Sequence, residues 1–164
     1  MFVPLEKLPP QSKLWIYQAD RKLSAEQKIL IGEKLREFTG QWLVHGEPLH
    51  ASFDIRFDQF VVVAANDTAS GCSIDSSVRV MKEIGALAGV DFFNRNLIAF
   101  KKGEEITLTN LTLLKSELQN GSWNEETPVF NNAISNLGEI DDRWLVPAGA
   151  TWLKRYIARP QSVQ

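Results

Sequence analysis

Ala51-Ser52-Phe53-Asp54-Ile55-Arg56-Phe57, joined through Asp58-Gln59 to Phe60-Val61-Val62-Val63-Ala64-Ala65, is the stretch that decides the fold. Apolar and polar residues alternate without a miss in the first run, as in a strand with one face in a core and one face toward water. The second run is apolar throughout, as in a strand covered on both sides. The short connection makes the two a hairpin, with the all-apolar strand at the centre of the sheet.

On the amino-terminal side, Leu14-Trp15-Ile16-Tyr17-Gln18-Ala19 is aromatic and β-branched and reads as a first strand ending at Asp20-Arg21. Ser24-Ala25-Glu26-Gln27 has the spacing of a capping box. The helix it opens carries Ile31, Leu35, Phe38 and Trp42 on one face, with Lys34, Glu37 and Gln41 elsewhere. Gly40, Gly46 and Pro48 break it. Earlier still, Pro4, Pro9 and Pro10 predict a non-helical arm lying over the domain.

On the carboxyl side, Ser70-Gly71-Cys72-Ser73-Ile74-Asp75-Ser76-Ser77-Val78-Arg79 holds the sole cysteine and marks a strand-to-helix junction. A helix is expected from about Asp75 or Ser76, with Val80, Met81, Ile84, Leu87 and Ala88 as its apolar side and Gly89 as terminator. Asn96-Leu97-Ile98-Ala99-Phe100-Lys101 reads as a fourth strand and Lys102-Gly103 as a turn. The resulting order is that of an α+β, ferredoxin-like βαββαβ sheet with two helices on one face. From Thr107 the pattern turns helical, with Leu111, Leu114 and Leu118 on one side and Asn120-Gly121 as the stop. Thr151 is expected to cap a last helical turn. A single domain over 1–164 follows, with its core over 13–103 and a helical or irregular extension over 105–158 covering the open face or edge of the sheet.

Hydrophobic residues at 44% and charged residues at 23% are those of an ordinary globular chain, and the net charge of -2 offers no basic excess to a polyanion. No nucleic-acid partner is expected, and Phe57-Asp58-Gln59-Phe60-Val61 lacks the basic-Gly-aromatic signature of an RNA-recognition strand. One cysteine excludes an internal disulfide. Neither a signal peptide nor an apolar run of membrane-spanning length is present, so a cytoplasmic location is expected.

In the expected topology the junction at Cys72 approaches the loop holding His45 and His50. A thiol at a helix amino end with a histidine nearby is a nucleophile set, so Cys72, His50 and Asp75 are the candidate catalytic residues. Gly71, Ser73, Ser76, Ser77 and Arg79 are candidate ligands for a small anion, since glycine admits the backbone and hydroxyls and helix amides bind phosphate or carboxylate. Helix capping by Asp75 or Ser76 explains much of the same stretch without a ligand. A cysteine-phosphatase loop is excluded, because one residue too many separates Cys72 from Arg79. One cysteine and two histidines without paired spacing make no metal site, and no cofactor is implied.

Trp15-Ile16-Tyr17-Gln18-Ala19-Asp20-Arg21, the alternating strand around Phe53 and Ser70-Gly71-Cys72-Ser73-Ile74-Asp75 resemble a family of small bacterial proteins commonly labelled "ABC transporter ATPase". The resemblance runs over most of the chain and implies no catalytic residue. The residues oppose the label's activity. No Gly-Lys dipeptide occurs anywhere, so the phosphate-binding loop is missing, and Leu23-Ser24-Ala25-Glu26-Gln27 lacks the glycines of the Leu-Ser-Gly-Gly-Gln signature. The expected function is a non-catalytic module binding a small ligand, a protein or a second copy of itself. A thiol-dependent or anion-binding enzyme centred on Cys72 is the alternative, and ATP hydrolysis ranks below both.

Overall fold

The structure is a computed structural model describing residues 1–66 and 71–157, the side chains of 71–75 excepted. It is an α+β protein in which the chain forms two compact units, Met1–Asn94 with Asn132–Ile140 and Arg95–Asn131 with Asp141–Gln164.

The first unit contains β1 (Lys13–Gln18), α1 (Ala25–Gln41), β2 (Leu43–Val44), β3 (Glu47–Pro48), β4 (Ala51–Arg56), β5 (Phe60–Ala65) and α2 (Gly71–Ala88). Its main sheet has the order β1-β5-β4 with both pairings antiparallel. β1 and β4 therefore run parallel on either side of β5, and α1 is the crossover between them. All six residues of β5 are buried, as its unbroken apolar run requires. Tyr17, Val61, Val63 and Ala65 of the sheet pack with Ile31 and Leu35 of α1 and Met81 and Ile84 of α2. Each such aliphatic side chain contributes roughly 1.5–3 kcal/mol by leaving water.

Local chemistry sets the helix ends. The Ser24 hydroxyl accepts from Gln27 N at 3.1 Å, and Gln27 Oε1 accepts from Ser24 N at 2.9 Å, which completes the capping box. The other end of the same amide reaches α2, with Gln27 Nε2 donating to Ala88 O at 3.0 Å. The start of α1 thus lies at the end of α2, and the helices are antiparallel. Gly89, at φ 71°, terminates α2, and Val90 N returns to Gly85 O at 2.9 Å.

The sheet edges are closed by distant segments. Val3 N donates to Ala51 O at 2.9 Å along the outer side of β4, so the proline-bearing arm shields that edge. Along β1, Leu14 N donates to Ser135 O at 3.0 Å, and Lys13 bridges Asn136 in antiparallel sense. This is where the ferredoxin-like reading placed its fourth strand.

That strand belongs to the second unit, which contains β6 (Leu97–Lys102), β7 (Glu105–Asn110), α3 (Leu114–Gln119), β8 (Pro128–Phe130), β9 (Leu145–Pro147) and α4 (Lys154–Ile157). Its sheet has the order β7-β6-β8-β9. Gly103, at φ 63°, turns β6 straight into β7, with register from Leu97 opposite Asn110 to Lys102 opposite Glu105. A tight hairpin closes at less entropic cost than a pairing with β1 far back in the chain. The helix expected from Thr107 begins instead at Leu114, after a 3-10 turn, because Ile106-Thr107-Leu108-Thr109 alternates in the manner of a strand. Phe100 stacks on Trp123 at 5.4 Å, and the buried Trp123 indole donates to Leu114 O at 2.9 Å. Thr151 accepts from Leu153 N at 3.1 Å at the last turn before α4. No helix among the described residues is long and apolar enough to cross a membrane.

Candidate functional site

The junction stretch folds differently from its sequence reading in one respect that matters for chemistry. α2 is already helical at Gly71, ahead of Asp75 and Ser76, so Cys72, Ser73 and Asp75 are helical residues. The positions of their side chains, and the preceding Ser70, lie outside the described residues. Ser76 and Ser77 are carried past the first turn, where backbone amides are bonded within the helix and no longer point outward. They are not part of an amide cradle for an anion.

Ser77 is buried, and its hydroxyl is hydrogen-bonded to the Tyr17 phenol, so this candidate ligand is used inside the core. Burial pushes the Tyr17 phenol above its ordinary pKa, with the Ser77 hydrogen bond acting in the opposite sense. The Tyr17 and Phe93 rings meet in an edge-type pair with their centres 5.7 Å apart.

His45, at φ 54°, forms the tip of the β2–β3 hairpin with Gly46 at φ 81° and is exposed. The Gly46-Glu47-Pro48 segment therefore contributes a small hairpin as well as the helix break. His50 is exposed just before β4, and its carbonyl accepts from Asn66 N at 2.9 Å. The His50 backbone thus lies beside the last described residue before the junction, while the side-chain geometry between His50 and Cys72 falls outside the described residues.

Two concave regions of the first unit can be compared by what their charges do. One follows the carboxyl end of α2, where Asp20 Oδ1 accepts from Arg21 Nε at 3.1 Å and from Asp91 N at 3.1 Å. The Arg21 hydrogen bond is the main reason the Asp20 carboxyl is held below its usual range. Lys82 lies 5.6 Å from the Phe93 ring centre. The Asp20, Arg21 and Asp91 groups are engaged with one another, and they tie the end of β1 to the turn after α2.

The other region is a groove between α1 and α2. Phe38, Trp42, Val80 and Ile84 give it apolar lining, while Lys34, Glu37, Gln41, Ser76, Arg79 and Glu83 supply its polar groups. Leu43 and Leu87 also line it, and both are conspicuously exposed, at 56% and 62%. Among the described residues, Lys34, Glu37, Arg79 and Glu83 form no ion pair, although Arg79 and Glu83 are one helical turn apart. Trp42 is 3% exposed, and its indole N–H is buried with no hydrogen-bond partner among the described residues. A buried donor left in this way costs roughly 1–3 kcal/mol.

Of the residues singled out in the sequence, Ser76 and Arg79 share this groove, Ser77 points to the core, and His45 and His50 belong to neither concave region. Lys34, Glu37 and Gln41 were legible as a polar stripe on α1, but nothing in the sequence joins them to Arg79 and Glu83. Among the described residues, no three His, Cys, Asp or Glu side chains converge in a way that would hold a metal ion. No family model, curated protein or solved structure matches the chain.

Proposed function

We propose that this protein is a non-catalytic binding module whose working surface is the groove between α1 and α2. One observation carries the reading: exposed leucines, and charges of both signs that form no ion pair among the described residues, border an aromatic and aliphatic lining. Charges free to meet a partner, beside apolar area that a partner would dry, are what a recognition surface requires. The other concave region has its carboxylate and guanidinium already paired.

The groove is about 440 Å³, within the range of ligand-sized clefts. It presents two cations and two carboxylates, so it suits a zwitterionic or mixed-charge amphiphilic partner better than a simple phosphate or carboxylate. The anion-binding expectation narrows accordingly: Arg79 and Ser76 contribute to a mixed-charge surface, and Ser77 does not.

The Trp42 indole is the natural reporter. In nitrogen-labelled protein its N–H resonance is assigned by the Trp42→Phe variant, and mixed-charge amphiphilic peptides, amino acids and nucleotides with magnesium are then titrated. Saturable movement of that resonance together with the Ser76–Leu87 amides is the expected result. Saturable binding that leaves these signals still and moves others relocates the function. Turnover of any panel compound that is abolished by Cys72→Ser replaces the binding reading with the thiol-enzyme one. Magnesium-dependent ATP hydrolysis would instead support the activity named in the family label.

A further inference from the structure

Helix register supplies the groove with a specific occupant. Gln27 of α1 is bonded to Ala88 of α2, and each residue along either helix advances about 1.5 Å, so positions counted forward on α1 match positions counted backward on α2. This count sets Glu37 level with Val78, one residue from Arg79, and Lys34 level with Met81, two residues from Glu83. Along the groove, each pair of facing turns carries one cation and one carboxylate on opposite helices, yet none of the four forms an ion pair among the described residues.

We infer that the groove is the interface of a homodimer in which α1 of each copy lies over α2 of the other, with the two-fold axis along the groove. Rotation about that axis exchanges the two helices while preserving level. Glu37 then meets the partner's Arg79, and Lys34 meets the partner's Glu83. The same operation repeats both pairings, as a two-fold interface must. A patch bearing both signs in equal number is self-complementary under this operation, and Leu43 and Leu87 come to lie within the contact. The inference rests on the groove being the binding surface and adds that its occupant is a second copy of this chain.

The test is the mass of the full chain in solution, by light scattering or sedimentation over about a hundredfold range of concentration, with charge reversals on opposite helices. The wild type is expected to reach twice its 18.5 kDa. Glu37→Arg and Arg79→Glu each place like charges face to face twice per dimer, and each is expected to weaken self-association by at least about tenfold. Mixed in equal amounts, the two variants form a heterodimer whose Glu37–Arg79 contact and reversed Arg–Glu contact are both favourable, and the dimer mass returns. Circular dichroism melts of both variants verify that each is folded.

A wild type that remains at 18.5 kDa throughout overturns the inference. So does a dimer indifferent to both reversals, or a mixture of folded variants that stays monomeric. A monomeric wild type whose Trp42 resonance still responds to an added peptide overturns the second-copy occupant and leaves the binding surface standing. Silence in both experiments removes both readings.

Discussion

Gly85 and Gly32 are both helical glycines, yet their surroundings give opposite expectations. A Cβ on Gly85 would lie 2.5 Å from Val90 O, in the turn that closes α2, whereas one on Gly32 meets nothing within 4 Å. Gly85→Ala is expected to destabilise by about 1–3 kcal/mol because backbone must move, and Gly32→Ala to stabilise by about 0.5–1 kcal/mol by restricting the unfolded chain. Urea unfolding midpoints that shift in opposite directions are the check. Asp20 gives a second expectation at this scale. Its carboxyl is held below the ordinary range chiefly by the Arg21 hydrogen bond, with the Asp91 amide assisting. A depressed value in the folded state means stability present above the unfolded-state pKa and lost as pH falls through the folded one. Thermal melts of Asp20→Asn across the acidic range should therefore lose less stability than the wild type over that interval. Equal slopes would remove Asp20 from the acid response.

Among the elements, the contact between β1 and α2 is the one most open to dissection. Tyr17 of β1 and Ser77 of α2 are hydrogen-bonded in the core, and each is nearly inaccessible to water. Tyr17→Phe leaves the Ser77 hydroxyl buried without its partner, and Ser77→Ala strands the phenol, so each is expected to cost about 1–3 kcal/mol. The double substitution should cost less than the sum, because both halves of the pair are gone. Additive losses would show that the hydrogen bond contributes nothing beyond the separate side chains. Tyr17 also bears on alkaline stability. Its pKa is raised by burial, so its contribution is fully present below the unfolded-state value and is lost as pH rises through the folded one. Tyr17→Phe is expected to flatten the alkaline decline measured by thermal melts.

For the whole molecule, the decisive feature is that the chain enters the first unit twice. Asn132–Ile140 belongs with Met1–Asn94, and Ser135 and Leu137 bond to Leu14 and Ser12 at the edge of β1. A fragment ending at residue 94 keeps the three strands, two helices and most of their core, but leaves that edge without its neighbour. Exposed strand edges pair with other chains. The fragment is expected to aggregate or to melt without cooperativity, as followed by light scattering and circular dichroism. A fragment that melts cooperatively as the full chain does, without aggregating, would show that the returning segment is dispensable.

The sequence alone determined most of the first unit: the alternation of Ala51–Arg56, the apolar run of Phe60–Ala65, the Ser24–Gln27 capping box and the Gly89 terminator, but not the β2–β3 hairpin. Each is a contact between near neighbours in the chain, so local composition specifies it. Tertiary structure decided which sheet took Leu97–Lys102, because a hairpin through Gly103 and a long-range pairing with β1 ask for the same kind of strand. The stretch from Thr107 reads as helical for a related reason: the alternation of the strand Glu105–Asn110 sits against the leucines that follow, whose spacing is helical. The groove depended on tertiary structure most of all. Lys34 and Glu37 read only as residues off the apolar face of α1 and Arg79 as a candidate anion ligand, and neither reading foretells that antiparallel packing aligns them beside Leu43 and Leu87. Whether two charges pair is fixed by the distance between helices, a quantity that no spacing along one chain contains.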